Sequence, residues 1–340
     1  MIGDVAALTT SEGSSETPRK GHRWPSGMRS RKAVAGLVIL MVFALVALFG
    51  PMAIHRDPSA FSDSGLTGPS SAHWLGTTQT GQDIFTQLVY STRVSMWVGF
   101  VSAAIATVLS LLVGLVGGYF VGIVEEGLST LSNIFLVIPA LPLVIVLAGY
   151  LPSSGSLTVA VVISVTGWAW GARVIRSQTS SIRRRDYIEA ARASGESAWR
   201  IILTEILPNL LAIVAAGFLG TVIFAILTQT SIAFLGLSSI STWSWGTMLY
   251  WAQSAGALQL GAWWWFVPPG VCIGLVGIGL ALVNFGLDEV INPRLRVEAP
   301  RRGRRAGRFE SRSVPDRDMD MDRGAVASRA WTSTNGSVGR

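Results

Sequence analysis

The residues best placed to do chemistry in this chain are gathered in Asp186-Tyr-Ile-Glu-Ala-Ala-Arg-Ala-Ser-Gly195, which runs on through Ile206-Leu207-Pro208. Asp186 followed by Glu189 has the spacing of a helix N-cap and its capping-box partner. Ile188, Ala190, Ala191, Arg192 and Ala193 are good or tolerable helix residues, with alanine dominating. Gly195 stands where such a helix should stop, since glycine adopts the left-handed cap at least cost. Ser197 can then cap a second helix, in which Trp199, Ile202, Leu203 and Ile206 recur at helical spacing. The chemistry on offer is recognition rather than bond-making: an alanine face is smooth, so a partner protein could approach it closely. An amphipathic helix lying on the membrane surface is the competing reading of the same residues.

Reactive side chains are sparse elsewhere. His22, His55 and His73 fall in a tail and a turn-rich loop, where solvated histidines are expected rather than metal ligands. Cys272, the one cysteine, lies in an apolar run and reads as a small buried hydrophobe. The two lysines, Lys20 and Lys32, do not complete a glycine-rich phosphate loop, so no nucleotide site of that kind is encoded. No Ser/His/Asp or Cys/His set stands out. Catalytic residues, a metal site and a cofactor are therefore not expected in this chain.

The element holding the 186–208 stretch must be a membrane protein. Half the residues are hydrophobic and only 14% are charged, a balance foreign to soluble domains of this length. Six apolar runs are long enough to cross a bilayer, at about 33–54, 94–124, 128–151, 157–172, 210–235 and 262–287. The first is longer than a signal-peptide core and more spans follow, so an uncleaved first helix is expected. The fold class is thus an all-α polytopic membrane protein with six transmembrane helices. Residues 1–32 read as a disordered basic tail, 33–296 as the transmembrane domain with a basic insert at 173–208, and 297–340 as a second disordered tail.

Local signals divide the spans. Glu125-Glu126-Gly127 marks a turn, Pro139 and Pro142 should kink the third span, and Pro152-Ser-Ser-Gly155 reads as a tight loop. Gly114, Gly118 and Gly122 stand four apart, a stripe that permits close helix contact, although glycine is common in membrane helices. Trp263, Trp264 and Trp265 suit a headgroup-level belt, and the interface is likewise the expected place of Trp243, Trp245 and Trp251. Pro268 and Pro269 should disturb the last helix one turn in.

All of the 27 Lys and Arg except Arg56 and Arg93 lie in the N-terminal tail, the insert or the C-terminal tail. Six crossings put these three segments on one face, which the positive-inside bias makes cytoplasmic. Both termini are then cytoplasmic in a plasma membrane. The net charge of +7 reports topology and gives no reason to invoke a nucleic-acid partner.

Residues 94–124, 127–172 and 206–287 contain no Asp, Glu, Lys or Arg. A proton-coupled carrier usually keeps such a group inside the membrane for its relay. A sodium-coupled carrier is less firmly excluded, because carbonyls and hydroxyls can serve it. A polytopic chain without its own energy source is either a passive pore or one subunit of a driven assembly. Driving needs a mechanical joint facing the cytoplasm, and the 186–208 insert is on that face.

The residues also resemble a family. Glu189-Ala190-Ala191, Gly195 and Leu207-Pro208 resemble the EAA signature of ABC-importer permeases. His73-Trp-Leu-Gly-Thr77, Gly81-Gln-Asp83 and Arg93-Val-Ser95 are similar to the external signature of the dipeptide/oligopeptide permease group. Asn284-Phe-Gly-Leu-Asp-Glu-Val-Ile-Asn-Pro-Arg294-Leu295 is similar to its closing segment. The resemblance covers roughly 33–296. It departs at Thr78, where the group commonly has Asp, and at Gln82, where it commonly has Arg, so a salt bridge between those side chains is absent.

The resemblance implies a type I importer (MetI-like) permease fold in a prokaryotic plasma membrane. It implies that Asp186, Tyr187, Glu189, Ala190, Ala191, Arg192, Gly195, Leu207 and Pro208 belong to a coupling segment that docks on a cytoplasmic ATPase. Glu189 would either cap its own helix or pair with a basic group on that partner. ATP and Mg would be bound by two ABC ATPase domains. A second related permease would complete the pore, and an extracytoplasmic binding protein would deliver peptides. Members of the group also move nickel complexes, haem, glutathione and other small solutes. The alternative from another class is a self-contained secondary carrier, against which the absence of intramembrane charge and of an internal repeat counts.

Overall fold

The structure is a computed structural model, and it describes residues 31–150 and 155–291, with side chains through Leu287. Regular secondary structure among these residues is helix, joined by loops of which the longest is 54–83, and one isolated bridge pairs Thr77 with Asp83. Helix α1 covers Arg31–Ala53, α2 covers Ile84–Tyr119, α3 covers Ile123–Val137 and α4 covers Ala140–Tyr150. Then come α5 (Ser156–Arg183), α6 (Asp186–Ala193), the single turn α7 (Ala198–Arg200) and a π-helical turn at Ile201–Ile206. Helices α8 (Leu207–Phe234), α9 (Trp245–Ser254) and α10 (Trp263–Ile291) complete the described residues.

Five of these are long and apolar enough to cross a membrane: α1, α2, α5, the continuous α7–π–α8 run and α10. The sixth span is the pair α3 and α4, bent by 90° at a short break. Ile138 and Pro139 sit in that break, and Pro142 lies in the first turn of α4. A proline cannot donate to the preceding turn and disfavours helix in the residue before it, so the bend falls where expected. The Pro152 loop lies outside the described residues, as do the two tails except Arg31 and Lys32, which begin α1.

The core is the α2–α5 pair. A Cβ on Gly114 would come within 2.7 Å of Ile175 Cβ, and one on Gly118 within 2.5 Å of Thr179 Cβ. The glycines therefore let α5 approach the α2 backbone. Between the same helices the hydroxyl of Ser110 donates to the Trp168 carbonyl at 2.6 Å, and that of Ser164 to the Ser102 carbonyl at 3.1 Å. Gly122 plays a different part: at φ +85° it turns the chain into α3. Gly36 of α1 lies against α10, where a Cβ would meet the Gly279 carbonyl at 2.6 Å.

Several local expectations are corrected. Helix α2 starts at Ile84, ten residues before the expected span, because Thr86, Gln87, Ser91 and Thr92 are buried polar residues of a helix, not a loop. Arg93 is consequently helical. Glu125 and Glu126 form the first turn of α3, where acidic groups suit the helix dipole. Arg176 Nη1 lies 3.5 Å from Glu125 Oε1, tying α3 to α5. Pro268 and Pro269 lie inside α10, which continues through them. The tryptophan belt does not form as a unit: Trp263 is exposed, but Trp264 is part-buried with Nε1 donating to the Thr77 carbonyl, and Trp265 is buried. Trp245 is fully buried, with Nε1 donating to Thr92 Oγ1 at 3.2 Å and its amide to Ser95 Oγ at 3.1 Å.

Candidate functional site

The insert is two short helical pieces slung beneath the ends of α2 and α5. Arg185, in extended conformation, is the N-cap of α6, and it makes no side-chain cap. Asp186 is thus the first helical residue rather than the cap, and the expected Asp186–Glu189 capping box is not formed. Both carboxylates still fall in the first turn, where the dipole favours negative charge, and Arg192 falls in the last.

The far end of α6 closes on itself. The Gly195 amide donates to the Arg192 carbonyl at 3.0 Å, and the Glu196 amide to the Ala191 carbonyl at 3.1 Å. These two bonds, with Gly195 at φ +81°, make a complete Schellman stop. Ser197 then leads α7 as its N-cap, with its carbonyl accepting from the Ile201 amide at 3.1 Å.

Continuity with α8 is made by a widened turn. The Leu207 amide donates to the Ile202 carbonyl, five residues back, instead of four. Pro208 has no amide hydrogen to give, and its ring would crowd the carbonyl four residues before it, so a looser turn just ahead of it relieves the helix. The change of register also alters which residues are buried. Ile201, Ile202 and Ile206 point inward, whereas Trp199 and Leu203, expected on the same face as Ile202, are exposed.

One cluster seats the whole insert. Ile188 of α6, Ile201, Ile202 and Ile206 of the π turn, and Leu210 of α8 pack with Leu115 and Tyr119 of α2 and Ile175 and Ile182 of α5. Ile188 is 0% exposed. Burying such a side chain is worth about 2 kcal/mol, so α6 is anchored by one residue and its opposite side is left free. On that side lie Asp186, Tyr187, Glu189, Ala190, Ala193 and Gly195, all exposed. The side chains of Asp186, Tyr187 and Glu189 make no hydrogen bond or ion pair among the described residues. Ala191 is half-buried against the cluster, Leu207 packs on it, and Pro208 is exposed.

Arg192 behaves differently from its neighbours. Its guanidinium carbon lies 5.0 Å from the centroid of the Tyr119 ring, and Nε is 3.4 Å from the Tyr119 hydroxyl. Residue-type reasoning singled out neither Ile188 as the anchor nor Tyr119 as a partner. An aromatic pair, Tyr119-Phe120, ending a glycine-rich uncharged run, was the available signal.

At the opposite end of α2 the second group of motif residues forms a tied loop. His73 Nδ1 lies 3.0 Å from Asp83 Oδ1, and Asp83 Oδ2 accepts from the Thr86 amide at 2.9 Å, capping α2. Thr78 and Gln82 remain in contact without charge: the Gln82 amide donates to Thr78 Oγ1 at 3.1 Å. The Gln82 side chain accepts from Gln87 Nε2 at 2.9 Å and donates to the Ser59 carbonyl at 3.2 Å. Between these ends, a cleft of about 720 Å³ opens among the α3–α4 bend, α5 and α8, with Phe135, Trp170 and Phe224 in its walls. Asn284 of α10 also lines it; the rest of the closing motif has no described side chains beyond Leu287.

Residues 106–297 match the family of binding-protein-dependent transport system inner membrane components. The chain is 35% identical to the dipeptide transport system permease protein DppC of Alkalihalophilus pseudofirmus over 79% of its own length and 88% of the relative's. It is 31% identical to the oligopeptide transport system permease protein OppC of Bacillus subtilis, over 80% and 90% of the two chains. It is 29% identical to the glutathione transport system permease protein GsiD of Pectobacterium atrosepticum, over 80% and 90%. The matched region holds the insert, its Schellman stop and the helices that seat it, and the chain belongs to this family: it is the membrane-spanning permease component of a binding-protein-dependent ABC importer.

Proposed function

We propose that this subunit forms half of a pore for dipeptides or oligopeptides, and that residues 186–208 couple it to a partner ATPase. The observation that carries the coupling is the two-sidedness of α6: Ile188 is sealed into the helix bundle while Asp186, Tyr187, Glu189 and Ala190 are exposed, with no side-chain hydrogen bond or ion pair among the described residues. Small alanines admit close docking, and the outward carboxylates suit basic groups on the partner. Two cytoplasmic ABC domains would bind ATP and Mg and carry out hydrolysis. A second, related permease would supply the other half of the pore, with membrane lipid around both.

The arrangement accounts for how a push could travel. Closure of the ATPase dimer would move α6, and α6 moves with the Ile188 cluster that it shares with α2, α5 and α8. The α7–π–α8 run is continuous, so displacement of the insert is carried into a membrane span. Alternating opening toward the extracytoplasmic binding protein and toward the cytoplasm would follow. The positive-inside bias of the insert supports the orientation in which it faces the cytoplasm. The peptide cargo is supported by the dipeptide and oligopeptide names of the relatives, and the GsiD relative motivates glutathione as a second reading.

The test is reconstitution of the chain with its permease, ATPase and binding-protein partners in vesicles. ATP-dependent uptake of labelled dipeptides and oligopeptides, with stable co-purification of the ATPases, is expected. Uptake of glutathione but not peptides would move the assignment to the second reading. Transport by this polypeptide alone in lipid would overturn the coupling.

A further inference from the structure

The end of α2 is gripped from three sides. From α5, the Arg183 Nη1 donates to the Tyr119 carbonyl at 3.0 Å. From α6, Arg192 lies over the Tyr119 ring at 5.0 Å and donates from Nε to the hydroxyl at 3.4 Å. From α7, Trp199 meets Phe120 with ring centroids 6.3 Å apart, and Phe120 itself meets Tyr119 edge-on at 5.2 Å. Tyr119 is 8% exposed and belongs to the cluster that buries Ile188.

We infer that Tyr119 is the positioning residue of the coupling insert, and that Arg192 serves as a latch to Tyr119 rather than as a docking residue for the ATPase. This rests on the coupling role proposed above. Three features support the assignment. The contact joins the two ends of α6: Ile188 anchors its first half, and Arg192, in its last turn, stops the helix from pivoting about that anchor. The grip falls on a helix of 36 residues, roughly 54 Å long, whose other end is the Asp83 cap tied to His73. The insert and the His73 loop are therefore held at opposite ends of one helix without an internal proline. Finally, the aromatic face satisfies a guanidinium without a carboxylate, so the latch adds no acidic group to a basic surface.

The test uses the whole transporter in proteoliposomes, reading peptide taken up per ATP hydrolysed. A cation–π contact at an exposed site is worth about 1 kcal/mol, so Arg192→Leu should lower that ratio roughly fivefold while the ATPase subunits still co-purify. Tyr119→Leu should do the same. Combined, the two should lower it no further than either alone, the mark of a shared contact. Tyr119→Phe, which keeps the ring face and the core volume and loses only the hydroxyl, should retain most of the ratio, and the non-additivity with Arg192→Leu is what separates a latch from general core packing. Additive losses, normal coupling in Arg192→Leu, or loss of ATPase co-purification in Arg192→Leu alone would overturn the latch. Gly195→Val separates the two levels. If it too couples normally, the insert does not couple at all; if it fails while the Tyr119 and Arg192 variants work, only the latch is wrong.

Discussion

The amide of Gly195 donates to the carbonyl of Arg192 with Gly195 at φ +81°, so the turn that ends the coupling helix depends on a backbone conformation closed to most side chains. Space is not the constraint, because a Cβ at Gly195 would meet nothing within 4 Å. The constraint is the dihedral angle, which costs an ordinary L residue about 1–2 kcal/mol and a β-branched one more. Gly195→Val should open the stop and redirect Ser197 and α7. Uptake should be abolished with membrane insertion and abundance unchanged, as read by transport assay and immunoblot. Normal uptake by this variant would sink the coupling assignment.

Glu189 projects from α6 with no partner in the chain among the described residues, so reversing its charge should leave the fold intact. Glu189→Lys is expected to abolish uptake at normal abundance. Co-purification with the ATPase should weaken, and weaken further at low salt, where repulsion between like charges is least screened. An effect independent of ionic strength would instead assign Glu189 a role inside the helix.

Gly118 is a packing position, and the expected defect there is in stability. Its Cβ would lie 2.5 Å from Thr179 Cβ and 2.7 Å from the Arg176 carbonyl, and the latter is backbone that cannot rotate away. Gly118→Leu should force α2 from α5 at a cost of about 1–3 kcal/mol. Lower abundance and a lower melting temperature in detergent are expected. Gly127→Leu is the control, because a Cβ there meets nothing within 4 Å.

Asp83 both caps α2 and holds His73, so its loss should act on the loop end. Asp83→Ala removes the acceptor for the Thr86 amide and hydroxyl and the 3.0 Å contact with His73. Cap removal typically costs about 1 kcal/mol. The 54–83 segment should become more sensitive to added protease, and stimulation of ATP turnover by the binding protein should fall. Asp83→Asn, which retains a cap acceptor, should recover the protease resistance.

Much of the site was legible from residue types. Gly195 as the helix stop, Ser197 at the next N-cap position, although its side chain makes no cap bond, and the break at Pro139 follow from backbone rules that act within a few residues. What escaped was the use of polar residues in an apolar setting. Thr86, Gln87 and Thr92 read as loop, yet they are interior groups of a helix, and Thr92 together with Ser95 holds Trp245. Asp186 and Glu189 have capping-box spacing, yet Arg185 takes the cap position and makes no side-chain cap, so both carboxylates fall inside the first turn.

The number of apolar runs, the basic insert and the turn chemistry around Gly195 were determined by the sequence alone, because length, charge and allowed dihedral angles are local properties. Which side of each span packs was decided only by the tertiary structure. In a membrane both lipid and neighbouring helices are apolar, so a span that is apolar all round carries no periodic mark of its buried face. The same physics hid the seat of the insert: Ile188 and Ile201 look like any isoleucine, and Arg192 like any basic residue, until the fold brings Tyr119 beneath them.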